Sequence, residues 1–337
     1  MSAPLRLKLD GEALAHNWAW LQSQGSARCG AAVKANGYGL GVADVVQRLV
    51  KAGCRDFFVA TWAEAAEIEP LMPVGARVSV LHGVRNEDMA QALTARARPV
   101  LNTMAQVARW RPTGRPCDVM IDTGMNRLGL SAQDDLSGLS IQSMMSHLAS
   151  ADEDVAQNAQ QLKAFQAAAA GQKGVALSLA NSAGICLGRD YHFDLTRPGL
   201  ALYGGVPRPE AVGQIRRVVR MEAQILQRRR IQPGDPVGYN ATFRAQRTSE
   251  VAILNLGYAD GYLRSFSGKG SAENGLFPLL GRVSMDLTAI DVTAQPDLAE
   301  GDWVELDFDL PSASVQSGLS QYELLTLLGQ RFERRWS

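Results

Sequence analysis

Short apolar runs rich in β-forming side chains recur through the first two-thirds of the chain, at 30–33, 56–60, 77–81, 99–101, 118–121, 141–145, 176–179 and 200–203. Between most of them the apolar spacing lengthens to that of a helix. Val45, Val46, Leu49 and Val50 mark one helical face ending near Gly53, and 63–68, 87–97 and 154–170 read the same way. Strand-like runs alternating with helices over about 200 residues predict a (β/α)8 TIM barrel. A doubly wound open sheet alternates in the same way, so periodicity alone leaves both architectures standing.

The alternation stops near Arg216. From Val218 onward the pattern is one of strands broken by turns, at 221–227, 236–243, 250–256, 277–283, 287–292 and 303–308. Gln232-Pro233-Gly234-Asp235 and Gln295-Pro296-Asp297 supply the turn chemistry. The pattern predicts an α/β domain over 1–216 and a mostly β C-terminal domain over 217–337, closed by one helix near 321–331.

Composition narrows the function. Basic and acidic residues both number 34, so the formal charge is zero and there is no electrostatic footprint for nucleic acid or an anionic membrane surface. Cys29, Cys54, Cys117 and Cys186 are scattered and form no CxxC pair, which makes reduced thiols the expectation. Residues 1–10 lack a signal-like apolar stretch, and no apolar run approaches the length of a membrane span. A cytoplasmic location follows by elimination. His16, His82 and His192 show no metal-ligand spacing, and no metal site is expected.

Unusual polar residues cluster at strand ends. Lys34 follows the first run, Arg127 lies in the loop after the fifth, His147 follows the sixth, Asn181 and Ser182 follow the seventh, and Arg197 precedes the last. In a barrel all of these share the C-terminal face, where active sites are built. A lysine at a strand end, followed by a glycine loop, is partly desolvated and suited to Schiff-base chemistry, although such a lysine can also simply snorkel to the surface. Tyr38, Ser182, Gly199 and Tyr322 have the hydroxyls and free N–H groups of a phosphate cup. Asn181-Ser182-Ala183-Gly184 reads equally well as a helix cap, Arg197 as a partner of Asp194, and His147 as a core histidine.

Together these segments resemble the alanine racemase family over nearly the whole chain. Val33-Lys34-Ala35-Asn36-Gly37-Tyr38-Gly39 is similar to the family's lysine motif for pyridoxal 5'-phosphate (PLP), and Asp122-Thr123-Gly124-Met125-Asn126-Arg127-Leu128-Gly129 to its substrate-arginine loop. His147-Leu148-Ala149-Ser150-Ala151-Asp152, Ala180-Asn181-Ser182-Ala183 and Arg197-Pro198-Gly199-Leu200-Ala201-Leu202-Tyr203-Gly204 continue the series. Val237-Gly238-Tyr239-Asn240-Ala241, Gly257-Tyr258-Ala259-Asp260-Gly261, Gly281-Arg282-Val283-Ser284-Met285-Asp286 and Gln321-Tyr322-Glu323 follow in family order.

The resemblance implies a barrel followed by a β domain that the first residues join, and a head-to-tail homodimer with shared active sites. It implies PLP-dependent interconversion of L- and D-alanine, for cell-wall supply or for D-alanine catabolism. Lys34 would carry the Schiff base and the D-face proton, and Tyr239 the L-face proton. Tyr38, His147, Asn181, Ser182, Arg197, Gly199, Leu200 and Tyr322 would bind the cofactor. Arg127 would hold the substrate carboxylate with the Met285 backbone, and Tyr258 and Asp286 would line the entrance. His147 would assist Tyr239 and link onward to Arg197, which would face the pyridine nitrogen and keep it largely unprotonated.

Two positions depart from the family pattern: Met120 replaces a lysine that is carbamylated in many members, and Leu40 replaces a histidine. A decarboxylase of the same architecture needs no tyrosine base here. A broad-specificity racemase stays open, and a PLP-binding protein without turnover would resemble the barrel alone.

Overall fold

A computed structural model describes residues 3–337. The chain divides into two compact units, Ala13–Arg216, and Arg217–Ser337 joined by the N-terminal residues up to Glu12.

Ala13–Arg216 is a (β/α)8 barrel. Seven parallel strands, Ala31–Ala32, Asp56–Val59, Arg77–Val80, Arg98–Leu101, Pro116–Met120, Ser140–Met145 and Ala176–Ser178, lie side by side in chain order. The eighth strand is Leu195–Thr196, not 200–203 as the apolar pattern predicts. It pairs in parallel with Arg28–Cys29, and the Asp194 N–H donates to the Leu177 carbonyl (3.0 Å) and that of Arg197 to Ala180 (2.8 Å), closing the ring. Leu200–Tyr203 is instead a buried 3₁₀ turn capped by Gly204 at φ 93°. A short apolar run does not by itself separate a strand from a buried helical turn.

Helices cover the strands from outside. In Val42–Ala52, Val42, Val45, Val46 and Leu49 are buried, and Gly53 caps the end in the left-handed region. Trp62–Ile68 begins with a capping box in which Thr61 and Glu64 bond reciprocally. Ala156–Ala169 is the longest helix of the unit. No helix lies between Met120 and Ser140.

The second unit is built on an eight-stranded sheet. The long strand Val219–Ile231 pairs antiparallel with Leu5–Leu9, Trp303–Leu306 and Ser249–Leu254, bulging between Ile225 and Gln227 where it changes partners. Leu5, Leu7 and Leu9 alternate inward, and Glu333–Trp336 adds a parallel edge strand. Two expectations are corrected here. The run 236–243 is a pair of two-residue strands, Pro236–Val237 and Phe243–Arg244, around a 3₁₀ turn at Tyr239–Ala241. Gly238, Asn240 and Ala241 all have positive φ there, which no strand tolerates. The terminal helix is only Gln321–Thr326, after a further helix at Leu310–Ser317. The Gly329 N–H donates to the Asp260 carbonyl (2.9 Å), drawing the chain off the helical path into its last strand. No helix among the described residues is long and apolar enough to cross a membrane.

Candidate active site

Lys34 stands where the first barrel strand ends. The next residues, Ala35, Asn36, Gly37 and Tyr38, have φ between 53° and 62° and form one left-handed turn. A left-handed conformation costs roughly 1–2 kcal/mol for each residue other than glycine. The turn survives because its polar groups are satisfied: the Gly37 N–H donates to Val33 (2.9 Å), Gly39 to Ala35 (2.9 Å), and Val42 to Asn36 Oδ1 (2.8 Å). Strain held by such a network is characteristic of a functional segment. Glu64 supports it from the neighbouring helix, accepting from the Ala35 N–H (2.8 Å) as well as from those of Ala60 (2.6 Å) and Thr61 (3.2 Å). The sequence reading overlooks Glu64, although the Thr61-Trp62-Ala63-Glu64 capping box is a readable signal.

The other strand-end cations gather around Lys34. Burial, the charge of Arg127 and, in opposition, that of Glu64 together hold the Lys34 ammonium below the usual lysine range. Arg127 rides on an exposed loop whose first residue, Asp122, accepts from the N–H groups of Gly124, Met125 and Asn126 (2.9, 3.0 and 3.2 Å). Arg197 is buried and donates to the Ser178 hydroxyl and the Ser146 carbonyl, not to Asp194, whose carboxylate accepts the Leu177 N–H (2.8 Å). Burial without a carboxylate lowers Arg197 to about 10.

His147 feels burial first, then the charges of Arg197, Arg127 and Lys34, and falls to about 3. Its imidazole is neutral at pH 7, and among the described residues it makes no hydrogen bond to Arg197, so the expected onward link is a through-space charge only. The folded value lies below the ordinary 6.5, so the unfolded chain binds the extra proton between about 6.5 and 3. Stability should therefore fall as pH drops through that window. His147→Asn is expected to flatten the fall, read as a smaller drop in Tm between pH 7 and pH 4 than in the wild type.

Below these cations Tyr38, Ser182 and Gly199 meet. The Ser182 hydroxyl accepts from the Gly199 (3.0 Å) and Ala201 (3.2 Å) N–H groups. Tyr38 stacks on Tyr203 with ring centroids 4.6 Å apart. Gly199 lies so close that a Cβ on it would stand 2.2 Å from the Tyr38 hydroxyl oxygen. Both tyrosines are buried, so Tyr38 cannot swing aside. Gly199→Ala is expected to cost about 1–3 kcal/mol, read as a lower thermal midpoint. Asn181 is the cap of the helix Ser182–Cys186, accepting from the Gly184 N–H (2.9 Å), and Leu200 is buried beside the cup.

The β unit carries the remaining candidates. The Ala259 N–H donates to the Met285 carbonyl (3.0 Å) and that of Tyr258 to Ser284 (3.0 Å), which joins the 257–260 and 284–286 segments. Arg331 locks the junction, gripping Asp260 with two bonds (2.6 and 2.8 Å) and reaching Asp286 (2.7 Å). Tyr258, Met285 and Asp286 are thus neighbours, with the Arg264 guanidinium 5.0 Å from the Tyr258 ring centre. Tyr239 sits on its own turn, where Gly238 backs onto the Arg282 main chain, and is 62% exposed. Tyr322 is half-exposed on the Gln321–Thr326 helix. Arg331 escapes sequence reasoning because its partner lies 71 residues away.

A lysine of lowered pKa and two arginines that, among the described residues, make no salt bridge to a carboxylate, set beside a serine–glycine cup, define a barrel enzyme that takes an anionic cofactor or substrate. The sequence profile of the alanine racemase N-terminal domain matches residues 9–207, and that of the C-terminal domain matches 218–336. The alanine racemase of Acidiphilium cryptum is 42% identical, covering 97% of each chain. The biosynthetic alanine racemase of Agrobacterium fabrum is 41% identical over 99% of this chain and 94% of its own. Among solved structures, alanine racemase from Bartonella henselae with covalently bound pyridoxal phosphate superposes with a TM-score of 0.93 at 34% identity, over the full length of both chains. The chain belongs to the alanine racemase family.

Proposed function

We infer that this chain is a PLP-dependent isomerase that interconverts L- and D-alanine. The observation that carries the reading is the barrel mouth, where Lys34, Arg127 and Arg197 all act on His147 and, among the described residues, none makes a salt bridge to a carboxylate, Glu64 reaching Lys34 through space only. Like charges gathered around a buried Arg197 favour an anion joining them. A cofactor phosphate and a substrate carboxylate would both answer that need, and the Ser182–Gly199 cup has the donor chemistry for the phosphate.

Lys34 would be the point of covalent attachment. Tyr38, Ser182, Gly199, Leu200 and Tyr322 would hold the phosphate end, with His147, Asn181 and Arg197 toward the ring. When bound, the cofactor supplies an electron sink that acidifies the substrate's α C–H bond. Lys34 exchanges the proton on the D face and Tyr239 the proton on the L face. Arg127 binds the carboxylate with the Met285 main chain, while Tyr258 and Asp286 line the approach. Neutral His147 can offer Tyr239 a hydrogen bond but not a charge.

The working form is a cytoplasmic homodimer. A tyrosine base needs cationic or hydrogen-bonding partners, and the exposure of Tyr239 and Met285 supports a second protomer that brings them. Cys29, Cys54 and Cys117 are buried and unpaired, as suits a reducing compartment. The test is α-proton exchange in D2O with L-alanine, L-serine and L-lysine. Alanine should exchange fastest; faster serine or lysine would replace the substrate, and no exchange by PLP-loaded protein would overturn the enzyme reading.

A further inference from the structure

Five of the first six barrel strands lead into a helix that anchors the intervening loop, but Pro116–Met120 does not. The chain from Ile121 to Leu139 carries Arg127 and has no helix of its own. A single bridge, Ile121 to Leu130, and the Asp122 carboxylate give the loop its shape. At its base the Leu130 N–H donates to the Met120 carbonyl (2.8 Å), and Arg111 donates to the Asp135 carbonyl (2.7 Å); the Thr123–Gly124 stretch near Arg127 is held to the barrel by other groups.

We propose that Gln157 and Gln161 form a clasp that positions the Arg127 loop against the His147 segment, and so sets the carboxylate site. The two residues stand four apart on Ala156–Ala169 and share a helix face. Each grips both segments. Gln161 donates to the Thr123 hydroxyl (3.2 Å) on the loop and to the His147 carbonyl (3.0 Å), while accepting from the Ala149 N–H (2.8 Å). Gln157 donates to the Gly124 carbonyl (3.4 Å) on the loop and accepts from the Ser150 hydroxyl (2.8 Å). Thr123 carries the connection inward, its hydroxyl 2.7 Å from that of Ser146, whose carbonyl receives Arg197.

Gln161 is 1% exposed, at a position where a barrel helix ordinarily presents an apolar side chain. A buried amide that satisfies three bonding positions fixes a unique arrangement rather than adding much net stability. The loop that carries Arg127 has no helix of its own, and the clasp locates it from the next helix. Neither glutamine touches the reacting atoms; both are positioning residues. The inference rests on the reading of Arg127 as the carboxylate holder.

The test uses PLP-loaded enzyme and two readouts, the kinetics of L-alanine racemisation and inhibition by propionate. Propionate has alanine's carboxylate but no amine, so it reports the carboxylate site alone. Gln161→Leu and Gln161→Glu are each expected to raise the KM for L-alanine and the propionate inhibition constant about tenfold, with kcat and cofactor affinity changed far less. Glutamate keeps the acceptor for the Ala149 N–H and loses both donors, and an unchanged Tm for either variant separates the positioning effect from a folding defect. In an Arg127→Ala background neither change should weaken propionate further, because partners acting through one group are not additive. Three outcomes would overturn the clasp. If Arg127→Ala weakens propionate and the Gln161 variants do not, the clasp falls and the carboxylate reading stands. If Arg127→Ala leaves propionate unaffected, that reading falls and takes the clasp with it. If the losses add in full, or cofactor affinity falls in parallel, Gln161 is a general structural residue.

Discussion

Lys34→Ala is expected to abolish racemisation, lowering kcat by about 10⁴-fold or more in both directions, together with the absorbance of covalently held cofactor. The expectation is sharp because no other lysine can stand in. Lys8, Lys51, Lys163, Lys173 and Lys269 are all exposed, whereas Lys34 is partly buried at a strand end with its pKa held down. Desolvation and Arg127 are the causes, so at a given pH more of its amine is neutral and nucleophilic than in a free lysine. Cofactor loading of the stripped protein should accordingly slow as pH falls through a value below 10.5, with Lys34 as the titrating group. Retention of activity within about tenfold of wild type by Lys34→Ala would remove it from the chemistry.

The alternation of strands and helices and the polar residues at the strand ends were legible from periodicity, while the family resemblance chose the barrel over an open sheet. A run of buried strand residues ends where the polar residue begins, and in a barrel every such end faces one way. The eighth strand was hidden because Leu195-Thr196 is too short to register as a run and is followed by Arg197 and Pro198. The apolar 200–203 stretch drew the assignment instead. The clasp was hidden for a different reason. Within Ala156–Ala169 the buried face is Asn158, Gln161, Phe165 and Ala169, half of it polar, so the hydrophobic pattern does not reveal which side faces inward. The Asp260–Arg331 pair depends on tertiary contact that no local pattern encodes. Met120 shows the converse. Its identity was plain in the sequence, but only the structure shows that the loop beyond it has no helix and is held by the next one.

Tyr239→Phe should separate the two faces of the reaction. The phenyl ring preserves the shape of the turn, while the proton-accepting oxygen is lost. Exchange of the α-proton from L-alanine in D2O is expected to fall by about 10²–10⁴-fold, while D-alanine continues to exchange through Lys34 without inverting. Undiminished exchange from the L side would assign that proton to another group. The same variant tests whether the tyrosine comes from a second protomer. Tyr239 is 62% exposed on its own unit, which leaves its ring open to a second protomer. If a partner supplies it, a dimer of one Lys34→Ala and one Tyr239→Phe chain has one site with both residues intact. An equal mixture of the two inactive variants, exchanged to equilibrium, should then recover about a quarter of wild-type activity, since half the dimers are hybrids with one working site of two. If each chain uses its own tyrosine, every site in the mixture lacks one residue and nothing returns.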